Sequence, residues 1–260
     1  MKSDDKSRRL RERMRLALPV RVHCRETLDH DWVEMTRLFD VTPFGAAFSL
    51  VHPTEPGRLL HLTMAMPRQL RCYDHVEMQY AVWGLVRHVQ LLAGGEGKGG
   101  GSAATKGSGL RFMVGVAFIG KRPPASYERE PATRYEVAPE PTANGLWSVS
   151  EKPEDAGQAS PSRSKETRLQ LPVEVVVEVL DDAGGVTARE ETVTENISRR
   201  GAAVWTTLKL TRGRFVRLTG VRFQLSVFAA VRACRPGSDG ILRLHLEFID
   251  RQWPLEGIEQ

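Results

Sequence analysis

The chain repeats itself, and that constrains its fold more than any other feature. RLALPVRVHC (15–24) answers RLQLPVEVVV (168–177), and FDVTPFGAAFSL (39–50) answers ENISRRGAAVWT (195–206). Further on, EPGRLLHLTM (55–64) answers TRGRFVRLTG (211–220), AVWGLVRH (81–88) answers SVFAAVRA (226–233), and VGVAFI (114–119) answers LHLEFI (244–249). Five matches in one order make a duplicated unit of roughly 100 residues, a period too long for a solenoid. The first three matches sit at an offset of 153–156, which shrinks later because a Gly-rich stretch separates the last two segments of the first copy only.

Within each unit the apolar period is two. Val76, Met78, Tyr80 and Val82 alternate with polar or small residues; Val173, Val175, Val177 and Val179 share one face; Leu242, Leu244, Leu246 and Phe248 alternate with Arg243, His245 and Glu247. Such runs are half-buried strands, and about six per unit make an antiparallel barrel or sandwich. Asp181-Asp-Ala-Gly-Gly185 between two strand-like runs is a hairpin connection, and Trp83, Trp205 and Phe228 are expected in the core. No long amphipathic helix is evident.

Two stretches read as connections. Residues 94–109 are Gly-rich with no large apolar side chain, and their GKGGGS is no phosphate loop, because Lys98 precedes Gly99 rather than Ser or Thr. Residues 122–162 are rich in Pro, Glu and Ser and read as a flexible linker. The expected organisation is a first domain over 1–121, the linker, and a second domain over 163–260.

Charge is unevenly placed. Residues 1–15 hold seven cations against three anions, so most of the net +5 sits in this arm. A local arginine cluster suits a phosphate-bearing ligand, an RNA contact or simple solvation, whereas duplex DNA asks for a body-wide basic surface. Surface aromatics interleaved with cations are missing from the pattern, so nucleic acid is not the expected partner. Cys24, Cys72 and Cys234 form no CxxC pair, and Cys72-x-x-His75 has no second ligand pair, so neither a disulfide framework nor a metal site is expected. The charged N-terminus is no signal peptide and no run is long enough to span a membrane, which points to a cytoplasmic protein. The histidines are scattered, no catalytic constellation stands out, and Glu190, Glu191 and Glu195 read as a solvated strand edge.

The remaining signal lies around the first strand of each copy. Arg11 and Arg15 form an RxxxR pair just before it, and Asp40-Val-Thr42-Pro-Phe-Gly45 follows about 25 residues later. The second copy carries Asn196-Ile-Ser198-Arg-Arg-Gly201, with Arg168 matching Arg15 but Ser164, flanked by Arg163, where Arg11 stands. This arrangement resembles the PilZ domain family, whose signature is RxxxR before the first strand and [D/N]xSxxG at a later turn. The resemblance implies two tandem six-stranded antiparallel β-barrels and a non-enzymatic receptor for cyclic di-GMP, with no other cofactor. The ligand residues it implies are Arg11, Arg15, Asp40, Thr42 and Gly45 in the first copy, and Arg163, Arg168, Asn196, Ser198 and Gly201 in the second.

The residue types fit that ligand. A guanidinium grips phosphate or the guanine O6/N7 edge with paired hydrogen bonds and stacks on a purine. An Asp or Asn oxygen accepts from guanine N–H groups, a Ser or Thr hydroxyl can bond another ligand atom, and glycine permits a tight turn. Arginines on an arm let the ligand reorder the arm and the domains attached to it. Because the first copy keeps both arginines and a hydroxyl, it is expected to bind more tightly. The alternative is a degenerate PilZ adaptor that has lost the ligand and acts through protein contacts.

Overall fold

The computed structural model describes residues 14–92, 110–141, 146–153, 168–222 and 225–255. The chain divides into two compact units: Met1–Leu50, Pro56–Arg87 and Met113–Glu154 form one, and Val51–Glu55, His88–Phe112 and Asp155–Gln260 form the other. The Gly-rich stretch 94–109, Arg11 and Arg163 lie outside the described residues.

The first copy supplies β1 (Pro19–Arg25), β2 (Asp31–Thr42), β3 (Gly45–Leu50), β4 (Leu59–Met64), β5 (Tyr80–Leu92) and β6 (Arg111–Gly120), closed into a barrel in the order β1-β2-β3-β6-β5-β4. Alternate residues point inward, so Val20, Val22, Leu62, Met64, Val82, Val114 and Phe118 are buried while their neighbours face outward. The second copy repeats the order with β9 (Glu174–Leu180), β10 (Val186–Ile197), β11 (Gly201–Thr206), β12 (Phe215–Gly220), β13 (Leu225–Pro236) and β14 (Leu242–Phe248). Its core gathers Val173, Val175, Val177 and Val179 with Leu244, Leu246 and Phe248, as the alternation requires. Closure leaves neither sheet with an open edge.

Four expectations need correction. The Pro-rich stretch is structured over much of its length: α1 (Ala125–Arg129) is followed by a hairpin of β7 (Tyr135–Pro141) and β8 (Trp147–Glu151). Tyr127 and Tyr135 pack with Leu59 and Leu85, and Trp83 meets Tyr127 edge-on at 5.0 Å. Apolar anchors spaced along a Pro- and Glu-rich run let it dock although its mean composition is that of a linker. Second, Val76 and Met78 are not strand residues; they stand 81% and 86% exposed in the β4–β5 connection. Third, that connection runs from Ala65 to Gln79 whereas its counterpart runs only from Val221 to Gln224, so the repeat offset first shrinks here and not at the Gly-rich stretch. Fourth, Trp205 is 38% exposed, while Phe228 is buried and Trp83 half-buried.

Arg71 shapes the long β4–β5 connection. Its guanidinium donates to the carbonyls of Met66, Asp74, Glu77 and Met78 and lies over the Tyr80 ring. A buried guanidinium without such acceptors would be costly.

Candidate functional site

Both motif turns are built alike, with the hydroxyl and the glycine of each making matching contacts. The Thr42 hydroxyl donates to Gly45 O at 3.3 Å and accepts from Phe44 N–H at 3.2 Å. The Ser198 hydroxyl donates to Gly201 O at 3.2 Å and accepts from Arg200 N–H at 3.3 Å. The hydroxyl therefore closes its own turn, and Thr does this as well as Ser.

The glycines also act differently from expectation. Neither has a left-handed backbone, so the turn itself does not demand them. A Cβ on Gly45 would lie 2.4 Å from Val116 O, and one on Gly201 would lie 2.4 Å from Leu246 O. Glycine is required because β3 and β11 start hard against a neighbouring strand.

Ahead of each turn a register shift falls between Leu38 and Asp40 and between Thr194 and Asn196. Such a bulge re-aims the following side chain, so the acidic or amide residue of the motif sits where the strand is bent. The same carbonyl of each turn is capped by unrelated groups: Cys72 Sγ donates to Pro43 O at 3.2 Å, and Trp253 N–H donates to Arg199 O at 2.8 Å. Trp253 is buried and packs on Phe248.

Among the described residues each arm attaches by one bridge. Met14 exchanges two backbone hydrogen bonds with Val41, and Leu169 does so with Ile197. Because Val41 and Ile197 hold the same place in their motifs, Met14 corresponds to Leu169. The strands agree: Pro19 pairs with Arg37 and Glu174 with Val193, while Val20 pairs with Met64 and Val175 with Gly220. The RLxLPV match is therefore displaced by two residues. Arg168, one residue before its bridge, corresponds to position 13, and Arg15 corresponds to Gln170. Position 13 is an arginine, and Arg9 precedes it by four, so the first arm carries two staggered RxxxR pairs, Arg9–Arg13 and Arg11–Arg15. Arg9, Arg11 and Arg13 lie outside the described residues; Arg15 is exposed.

In the second barrel the structure brings two expected residues together: Arg168 Nη1 donates to Asn196 Oδ1 at 3.3 Å. Sequence reasoning missed what surrounds them. Asn196 and His245 both pair with Ala203, so they flank it across three strands. Burial, then Arg168, then Arg235 hold the His245 imidazole below its ordinary pKa, with Glu195 opposing, which favours the neutral ring. Trp205 pairs with Arg243, whose guanidinium lies 5.7 Å over the indole and is fixed by Asp239 and Glu195. Glu195 is thus committed to an ion pair, and Glu190 accepts from Thr206 and Thr207 instead of forming a solvated edge. Arg199 and Arg200 of the turn are exposed. Among the described residues no group of His, Cys, Asp and Glu could hold a metal, and no helix is long and apolar enough to cross a membrane.

Comparison with solved structures gives distant likenesses. The Bacillus subtilis inhibitor of motility (MotI/DgrA) is 12% identical with a TM-score of 0.30, over 92% of this chain and 90% of that one. PlzA of Borreliella burgdorferi in complex with cyclic di-GMP is 7% identical with a TM-score of 0.28, over 95% and 91%. YcgR of Escherichia coli in complex with cyclic di-GMP is 10% identical with a TM-score of 0.27, over 90% and 76%. Scores this low assign no residue a role. No curated protein matches the chain. Residues 162–252 match the family model of the PilZ domain, a span that takes in the bridge at Leu169, the Asn196–Gly201 turn and all six strands of the second barrel. This match identifies the second barrel as a PilZ domain.

Proposed function

We propose that the protein is a receptor for cyclic di-GMP, held on the outer face of the barrel between arm and motif turn. One observation carries this reading: within the segment that matches the PilZ family, Arg168 meets Asn196 at 3.3 Å. An arm cation and a turn amide with no local reason to pair form a two-part clamp. Arg168 supplies paired donors for phosphate or the guanine O6/N7 edge, and Asn196 Oδ1 keeps a lone pair for a guanine N–H. Arg199 and Arg200 add cations where Ser164 leaves the arm short of one. Neutral His245 offers a flat ring without adding to the positive charge.

In the first copy the correspondence of Met14 with Leu169 makes Arg13 the sequence counterpart of Arg168, which adds Arg9 and Arg13 to Arg11 and Arg15 as candidate ligand residues of the arm. Thr42 and Ser198 act by closing the turn, and Gly45 and Gly201 by letting β3 and β11 start against a neighbouring strand. Ligand bound to Arg168 would fix the arm upstream of its bridge at Leu169, and that ordering is the signal passed on.

Titration calorimetry of the intact protein with cyclic di-GMP tests the reading. Saturable binding is expected, with at least about a tenfold loss at one site in Arg168→Ala, the effect of one charged contact. Absence of any heat at ligand concentrations up to about 100 μM, where a micromolar receptor saturates, would rule it out.

A further inference from the structure

The outer face of β2 departs from the polar exterior that a small barrel needs in water. Val33, Met35 and Phe39 are 45%, 65% and 48% exposed on that face. Asp31 and Arg37 lie in the same row, because alternate residues of a strand share a face. In the second barrel the same register positions carry Arg189, Glu191 and Glu195, and Arg189 pairs with Glu191 at 3.3 Å. Both barrels close with the same strand order, so closure does not require apolar side chains here. Exposed apolar side chains grouped on one strand face mark a contact surface.

We propose that this face docks a second copy of the chain, with β2 antiparallel over β2 across a two-fold axis. Charge selects both occupant and register. In an antiparallel arrangement centred on Glu34, Asp31 of each copy faces Arg37 of the other and Val33 faces Met35, each contact made twice by symmetry. Moving the centre one residue toward Phe39 sets Arg37 over Val33, and moving it two sets Arg37 over Met35; either shift loses both ion pairs and lays a guanidinium on an apolar side chain. Both charges are accessible. Asp31 is exposed and accepts from His23 through one oxygen, while Arg37 is exposed and bonds Ala17 O through Nη1. The neighbouring outer residues Arg21 and His23 of β1 widen the contact beside Met35 and Val33. This surface does not depend on the cyclic di-GMP reading.

Sedimentation velocity of the intact protein from about 1 to about 200 μM tests it, since a reversible dimer of micromolar strength is expected. Met35→Glu should weaken the dimer at least about tenfold, and Asp31→Arg and Arg37→Asp about tenfold each. The double variant Asp31→Arg/Arg37→Asp re-creates both pairs with reversed sign and should recover to within about threefold of the parent. All of these side chains are exposed, so the thermal transition should stay put. A monomer throughout the range, a dimer indifferent to Met35→Glu, or a double variant no better than its parents would overturn the proposal.

Discussion

The two barrels share one strand order and one turn geometry, yet they hold the turn by different means. Pro43 and Arg199 present the same carbonyl, capped by a cysteine thiol from the β4–β5 connection in the first barrel and by the backbone of Trp253 in the second. On the outer wall, His23 pairs with His61 in the first barrel where Glu178 and Arg217 form an ion pair in the second. What recurs is the set of backbone constraints: the close approach at glycine, the hydroxyl-closed turn and the bulge before the motif. What varies is whatever side chain can satisfy the exposed groups, so the two copies share a turn geometry without sharing the groups that cap it.

The largest effect should come from the feature the copies share. Gly45→Ala and Gly201→Ala each drive a Cβ to 2.4 Å from a backbone oxygen, and each should cost about 2–4 kcal/mol as strands are forced apart. Urea denaturation followed by circular dichroism would measure this. A tolerated alanine at either position would mean that the strands part without cost and that the close approach does not require glycine.

Next comes the feature the copies do not share. Tyr127→Ala should remove about 3 kcal/mol from the first barrel by emptying its contacts with Trp83, Leu59 and Leu85, and should leave the second barrel's transition in place. Hydrogen exchange resolved by peptide separates the two. Equal loss of protection in both barrels would show that the helix and hairpin are not an accessory of the first alone.

Smaller effects follow for the hydroxyls. Exchanging Thr42→Ser and Ser198→Thr should change stability by less than about 0.5 kcal/mol, whereas Ser198→Ala should cost about 1–2 kcal/mol by orphaning Arg200 N–H. A costly exchange would mean that the added methyl group matters. The smallest effect is set by pH. Burial, then His23, then Arg21 lower the pKa of His61 from 6.5, so the unfolded chain binds its proton more readily. The neutral ring's contribution is complete above pH 6.5 and is lost as pH falls through the depressed value. His61→Gln should flatten that acid-side loss in the first barrel's transition.

Much of the fold was legible because a barrel's inner face is a period-two pattern, as in Val173, Val175, Val177 and Val179. The arm register was not. A slip of two residues keeps every side chain on its own face, so RLALPV and RLQLPV read as equivalent although the bridges at Met14 and Leu169 show that they are not. The helix and hairpin were hidden because Tyr127 and Tyr135 are single anchors in a run whose average is polar. Trp205 looked like core because alternation tells which residues share a face but not which face is buried. His245 was passed over because its environment is assembled from Arg168, Arg235 and Glu195, which are far apart along the chain.

The correspondence of the two arms is the central claim, and paired arginine substitutions test it most directly. In a protein whose second site is disabled by Arg168→Ala, cyclic di-GMP would be titrated calorimetrically into Arg13→Ala and Arg15→Ala variants. If position 13 is the counterpart of Arg168, Arg13→Ala weakens the remaining site at least about tenfold and Arg15→Ala changes it less than about threefold. The reverse order, with Arg15→Ala abolishing binding and Arg13→Ala leaving it intact, would contradict the register and restore the equivalence suggested by the repeated RLxLPV.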